Sequence, residues 1–322
     1  MNNERVNETA FASQRVTDEQ YMRRCLQLAS NGLLTCRPNP MVGAVIVARG
    51  RIIGEGWHVR CGEGHAEVNA FASVRACDEA LLPEATIYVS LEPCSHYGKT
   101  PPCADLIVSK GVRRVVVGCV DPFAKVQGRG IDKIRQAGID VTVGVLEDEC
   151  RWLNRRFFTF HQKGRPYIIL KWAQTADGYI DDHGHAAAIS TPYTKMLVHK
   201  LRAECDAILV GRVTDEREHP QLNVRLWSGP SPVKMVLTSG HGIEAVMAEC
   251  RERQLLTLLV EGGCRTLQSF IEAGLWDELR VEKGQLTTGG GTPAPCLPED
   301  AILRSRAVHD GNEICCYEHG DM

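Results

Sequence analysis

His65-Ala66-Glu67 and, further along, Pro93-Cys94 followed after eight intervening residues by Cys103 are the residues of this chain best suited to chemistry. One imidazole and two thiolates can hold Zn²⁺ tetrahedrally and leave its fourth position to water, as in a catalytic rather than a structural zinc site. Glu67, two residues beyond the His, is then the spare proton carrier: it can take a proton from that water and deliver it to a leaving amine. A closed structural site would need a fourth ligand, for which Cys61 or His96 is available. The free Glu67 and the proline ahead of the first Cys favour the open site.

The surrounding runs supply elements to position these residues. Strands are expected at Ala44–Val47 and Thr86–Leu91, and helices over Val68–Ala80 and Ala104–Lys110. Each ligand pair thus opens a helix, whose N-terminal N–H groups favour the thiolate form of a Cys. Thr17-Asp18-Glu19-Gln20 has the form of a capping box and predicts a helix through Met22, Cys25, Leu26 and Ala29, ended by Asn31-Gly32. A hairpin turn falls near Arg49-Gly50-Arg51. The continuous apolar run Arg114–Cys119 predicts a strand buried on both faces, followed by a helix over Ile131–Ala137 and a strand over Ile139–Val143. Strands alternating with helices imply a three-layer α/β/α sandwich. The loop Asp121–Gly130 reads either as a phosphate cradle, with Lys125 or Arg129 helping, or as a flexible crossover.

At 322 residues the chain has room for two domains, with 43% hydrophobic and 24% charged residues, an ordinary globular balance. A net charge of −3 gives no electrostatic footprint for nucleic acid. No membrane span or signal peptide is visible, and residues 1–16 read as a loose polar tail. Fourteen Cys in a chain of this size without an export signal read as reduced thiols, which implies a cytoplasmic protein. Cys25, Cys77, Cys119, Cys150, Cys205, Cys250 and Cys264 are expected as small core residues, and Cys315-Cys316 as reduced thiols in a terminal strand.

His-x-Glu with Pro-Cys-x₈-Cys is a zinc-deaminase pattern, and its long Cys spacing resembles the riboflavin-biosynthesis bifunctional deaminase/reductase family. Pro38-Asn39-Pro40-Met41-Val42-Gly43, His58, Asp121-Pro122 and Val126-Gln127-Gly128-Arg129-Gly130-Ile131 match the same family. The resemblance implies an α/β chain: a cytidine-deaminase-like three-layer domain, then a shortened dihydrofolate-reductase-like domain. The expected division is 1–16 tail, 17–150 deaminase, 151–164 linker and 165–322 reductase-like. It also implies zinc on His65, Cys94 and Cys103, catalysis by Glu67, and substrate contacts from Asn39, His58, His96, Lys99 and Thr100. The implied substrate is 2,5-diamino-6-ribosylamino-4(3H)-pyrimidinone 5′-phosphate, and the implied assembly a homo-oligomer, dimer or tetramer. In the second half the family's NADPH contacts fall on Thr214, Glu218, Ser239, Gly262 and Gly263, and its substrate contacts on Arg202, Leu222, Arg225 and Glu261.

The second half departs from that family. Between Ser239 and Glu261 the chain lacks about thirty residues of strand, helix and strand that the family has. Ala186 and Ala188 stand where the family has Ser and Trp, and Glu218-His219-Pro220 where it has Asp-Asp-Pro. Each lost hydroxyl or ring removes interactions worth on the order of 1 to 3 kcal/mol. The expectation is therefore a deaminase with a silent second half, whose unreduced product feeds riboflavin synthesis or a related azapteridine route of the toxoflavin type. The competing readings are a fully bifunctional deaminase and NADPH reductase, and a zinc-stabilised scaffold without activity.

Overall fold

The computed structural model describes residues 2–96, 101–122 and 127–320, with side chains from residue 14 onward. The chain divides into two units, 1–163 and 164–322.

The first unit contains α1 (Asn2–Ser30), β1 (Gly43–Ala48), β2 (Arg51–Trp57), α2 (Ala66–Ala72), β3 (Thr86–Leu91), α3 (Cys103–Lys110), β4 (Arg114–Cys119), α4 (Arg129–Gln136), β5 (Asp140–Val143), α5 (Glu147–Leu153) and α6 (Arg155–Lys163). Its sheet runs β2-β1-β3-β4-β5. β1 is antiparallel to β2 and β3, while β3, β4 and β5 are mutually parallel. Arg49 and Gly50 both take positive φ, 53° and 71°, and join β1 to β2 by a two-residue turn of the type that matches strand twist. Helices α1 and α5 cover one face of the sheet, and α2, α3 and α4 the other, which gives three layers. Ile46, Ile87, Val89, Val115 and Val117 pack beneath α2–α4 with Ala70, Ile107 and Ile134, all buried. Gly56 of β2 admits α2 to close range: a Cβ there would lie 2.3 Å from the N of Ala70.

Three boundaries differ from the sequence expectation. The first helix is continuous from Asn2, so residues 2–16 extend it instead of forming a loose tail; neither Gly nor Pro interrupts residues 2–30. Thr17–Gln20 therefore lie inside a helix and not at its start. The helix following His65 ends at Ala72, and Ala76–Glu84 forms a separate 3₁₀ segment containing Pro83. Residues 151–164, expected as a linker, are helical up to Lys163 and belong to the first unit. Asn154 fixes them there: its side chain accepts from the N–H of Met41 and donates to the C=O of Met41, both at 2.8 Å.

The second unit contains β6 (Tyr167–Gln174), α7 (Pro192–Ala203), β7 (Ala207–Gly211), α8 (Arg212–Glu218), β8 (Val233–Leu237), α9 (Ile243–Glu252), β9 (Thr257–Val260), α10 (Cys264–Glu272), β10 (Glu278–Lys283), β11 (Ala301–His309) and β12 (Asn312–His319). Its sheet runs β11-β12-β10-β6-β9-β7-β8, parallel from β10 to β8 and antiparallel at β12 and β11. The chain passes from β8 through the single helix α9 into β9. Among the described residues no helix is long and apolar enough to cross a membrane.

All fourteen cysteines are free thiols. Cys77 is exposed and Cys264 half-buried, so neither is the core residue expected; Cys77 lies in the 3₁₀ segment, which buries only Asp78 and Leu82, and Cys264 opens α10, whose buried face is Leu267 and Phe270. Cys315 and Cys316 lie in β12, where alternation buries the first more deeply than the second.

A buried ion pair ties α1 to the sheet. Asp18 accepts from Arg114 Nη1 and Nη2 (2.9 and 2.8 Å), Tyr88 Oη (2.9 Å) and Gln14 Nε2 (3.0 Å). Burial alone would raise the Asp18 pKa, but these donors together lower it below the ordinary aspartate value of 3.8. Asp18→Asn is expected to cost roughly 3 kcal/mol at neutral pH, because it leaves the largely buried Arg114 charge with only the exposed Asp140 carboxylate, 3.5 Å away, as a counter-ion. A folded pKa below the unfolded value gives stability that is present above pH 3.8 and lost as pH falls through the lowered folded value. In urea titrations the gap between wild type and variant should accordingly close on acidification below that pH; a gap independent of pH would contradict the assignment.

Candidate active site

Both faces of the first sheet are consumed by helices, so chemistry is left to the loops at its edge. His65 is the N-cap of α2, in extended conformation (φ −69°, ψ 167°), and its side chain caps no backbone N–H of the helix. Cys103 is the first residue of α3, and Cys94 lies in the loop after β3. The Cys103 N–H donates to Cys94 Sγ at 3.3 Å, and the next amide, of Ala104, donates to the Cys94 C=O at 3.1 Å. The expected stabilisation of a thiolate by a helix N-terminus is thus found at Cys94.

His65 Nδ1 stands 3.6 Å from Cys94 Sγ and 3.3 Å from Cys103 Sγ. All three donor atoms lie within 4.8 Å of one another. Bonds of about 2.3 Å from zinc to sulfur and about 2.0 Å to nitrogen, at a tetrahedral angle, separate S from N by about 3.5 Å. The side chains therefore fit one zinc ion. Hydrogen bonding to Cys103 brings the Cys94 thiol down to about 4, and the same contact pushes Cys103 up. Hydrogen bonding to Cys94 raises the His65 pKa. Such a set, with more basic sites than protons to share, is one from which a divalent cation displaces the protons.

Glu67 is only 3% exposed, and burial raises its pKa. Among the described residues the metal-ligand cluster consists of His65, Cys94 and Cys103, with Glu67 beside it and outside it. Cys61 and His96, the candidate fourth ligands of a closed site, are both exposed and lie outside that cluster.

His58 forms a wall next to His65, with ring centroids 5.3 Å apart and edge to face. Its Nδ1 lies 3.2 Å from the C=O of Gly64 and its Nε2 3.0 Å from Nδ2 of Asn39. Burial lowers its pKa, which suits a neutral ring donating through Nδ1 and accepting at Nε2. Asn39, His58 and His65 are thus brought together. His96 is exposed two residues after Cys94, while Lys99 and Thr100 lie outside the described residues.

Of the two readings of residues 121–130, the phosphate cradle finds no support among the described residues. The N–H groups of Asp121, Gly128, Gly130 and Ile131 all point at the buried Glu92 carboxylate, at 3.3, 2.9, 3.0 and 3.4 Å. An internal anion already occupies them. Arg129 is exposed, and Lys125 lies outside the described residues. Two residues were missed by the sequence reading: Glu92, and Asn69, whose side chain donates to the C=O groups of Trp57 and Gly64 (2.7 and 3.1 Å) and so fixes the loop leading to His65. The one available signal for Glu92 was its place immediately ahead of Pro93-Cys94.

In the second unit a cavity of about 260 Å³ is lined by Lys171, Ala188, Ser190, Lys195, Thr214, Glu218, Glu261, Gly262 and Gly263, among others. Gly263 is the N-cap of α10 and supplies no side-chain cap; a Cβ on it would lie 3.2 Å from Thr214 Oγ1, and both residues line the cavity. That end fits a phosphate. Ser239, expected with this group, is instead exposed in the turn after β8, because the strand ends at Leu237. Glu261 pairs with Arg202 through two hydrogen bonds of 3.0 and 2.8 Å, and this pairing outweighs burial to lower its pKa. Leu222 is buried, and Arg225 donates its side chain to Asn223 and its backbone N–H to His199 Nδ1.

Comparison with known proteins covers both units. Residues 15–119 match the cytidine and deoxycytidylate deaminase zinc-binding region, and residues 166–243 and 241–309 match the RibD C-terminal domain in two pieces that meet where the sequence places its missing segment. The riboflavin biosynthesis protein RibD of Aquifex aeolicus is 37% identical over 83% of this chain and 86% of its own length. That of Haemophilus influenzae is 34% identical over 94% and 95%. The crystal structure of a diaminohydroxyphosphoribosylaminopyrimidine deaminase/5-amino-6-(5-phosphoribosylamino)uracil reductase from Thermotoga maritima, 32% identical, superposes with a TM-score of 0.87 over 95% of this chain and 99% of that one. With a zinc-deaminase unit followed by a RibD C-terminal unit in one polypeptide, the chain belongs to the RibD family of bifunctional riboflavin-biosynthesis deaminase/reductases.

Proposed function

We propose that the first unit hydrolyses the 2-amino group of 2,5-diamino-6-ribosylamino-4(3H)-pyrimidinone 5′-phosphate, giving 5-amino-6-(5-phosphoribosylamino)uracil and ammonia. The observation that carries this reading is the His65, Cys94 and Cys103 triangle with a buried, uncoordinated Glu67 beside it. His65, Cys94 and Cys103 would hold the zinc ion, which when bound would lower the pKa of a water enough for attack near neutral pH. Glu67 accepts a proton as the water adds to C2 and donates it to the departing amino nitrogen. Its burial, which raises the pKa of the carboxyl, suits a group that must act as base and then as acid. Asn39 has its Nδ2 engaged by His58, which leaves Oδ1 to accept from the pyrimidine. His58 fixes the orientation of that amide, and His96, Lys99 and Thr100 complete the substrate contacts.

For the second unit, the uncapped start of α10 with Thr214, Gly262 and Gly263 is where a phosphate of NADPH would be held. Ala188 lines the cavity there and, like Ala186 next to that stretch in sequence, offers neither ring nor hydroxyl, so this unit is read as silent in reduction and retained as a scaffold. The relatives carry riboflavin biosynthesis in their names, and nothing in the comparisons supports the azapteridine route. Assembly as a dimer or tetramer belongs to the same reading. Its support is β11, an edge strand that exposes Ile302, Leu303 and Val308. Fourteen free thiols fit a reducing, cytoplasmic setting.

Glu67→Gln should retain one zinc per chain yet release ammonia from the diaminopyrimidine ribotide about 10³-fold more slowly; turnover close to wild type would remove Glu67 from the mechanism. The product mass is expected to be the same with and without NADPH, and a gain of two hydrogens with NADPH would establish an active second unit. Light scattering on the purified chain should give two or four times the 35.6 kDa of one chain, and a monomer would rule out the assembly.

A further inference from the structure

Glu92 is 4% exposed, and the contacts of its carboxylate described above are four backbone N–H groups. Oε2 takes those of Asp121 and Gly128, Oε1 those of Gly130 and Ile131. The latter two belong to the first turn of α4, so the carboxylate occupies the end of the helix that favours an anion. Burying a carboxylate is costly unless it is well satisfied, and simple packing of two loops would not require one. The backbone of Glu92 is fixed as well, its N–H donating to the C=O of Cys119 at 2.9 Å.

What this clamp holds is the start of the metal loop. Cys94 comes two residues later, and Pro93 lies against Gly130 so closely that a Cβ on that glycine would sit 1.9 Å from the Pro93 C=O oxygen. Downstream, Cys94 is held by the amides of Cys103 and Ala104. Upstream, its place depends on Glu92 and the peptide of Pro93. We infer that Glu92 is a positioning residue for the zinc site: by binding two N–H groups of the β4–α4 loop and two of the first turn of α4, it sets Cys94 Sγ at its separation from His65 and Cys103. This rests on the reading of that triangle as a zinc site.

Replacing one oxygen by an amide turns a donor toward two donors, so Glu92→Gln undoes half of the clamp with little change of shape. Competition with a chromophoric chelator, on the full-length chain, is expected to give zinc binding about 10- to 100-fold weaker than wild type. Asp18→Asn is the control for general destabilisation, since the partners of Asp18 are Gln14, Tyr88 and Arg114 and none belongs to the metal loop; it should melt at lower temperature with zinc affinity unchanged. Gly130→Ala keeps the carboxylate and its donors but presses on Pro93, and it should weaken zinc as well. It supplies the measurement if Glu92→Gln does not fold. Zinc affinity equal to wild type in the Glu92 or Gly130 variant, or an equal loss in Asp18→Asn, would overturn the proposal. A wild-type chain that takes up no zinc would instead overturn the metal reading and this inference with it.

Discussion

Bringing His65 Nδ1 and the sulfurs of Cys94 and Cys103 within 4.8 Å of one another is the constraint on which the first unit depends. His65 and Cys103 are 38 residues apart, yet each stands at the start of a helix on the same face of the sheet. Parallel β3 and β4 with the helices α2 and α3 fix where those two helices begin. The third donor, Cys94, has no helix of its own and is held by amides on one side and by the Glu92 clamp on the other. The triangle therefore places one demand on the sheet and a second on the loop from β4 to α4.

The same economy of polar groups runs through the unit. Buried charges are answered by specific partners: Asp18 by Arg114 and Tyr88, Glu92 by backbone amides, and in the second unit Glu261 by Arg202. Glu67 stands apart, buried beside the metal triangle with its pKa raised by burial. A carboxyl whose ionisation is disfavoured by its surroundings is suited to exchanging protons, whereas the others are suited to holding structure.

The second unit keeps the parallel sheet and the cavity at the end of its strands, where open α/β folds bind ligands. Its departures are local, in the side chains at 186 and 188 and in the passage from β8 to β9 through α9 alone. A fold can survive such changes because its core, Ile168, Leu170, Leu209, Leu258 and Val260 among others, lies elsewhere.

The sequence by itself singled out His65, Glu67, Cys94 and Cys103, whose three metal-ligating types the structure brings into one cluster, and the two-part α/β plan. These follow from residue type, short spacing and strand-like apolar runs, all of which are local. It misplaced the start of α1, the extent of α2 and the linker, because a capping motif and a composition shift are weak beside tertiary packing: Asp18 is worth more to Arg114 than to a cap, and Asn154 secures the supposed linker to Met41. Whether the amides of Asp121, Gly128, Gly130 and Ile131 were open to a phosphate was decided only by the tertiary structure. The answer lay with Glu92, some thirty residues earlier in the chain, and no local pattern encodes which buried anion a set of backbone N–H groups will meet.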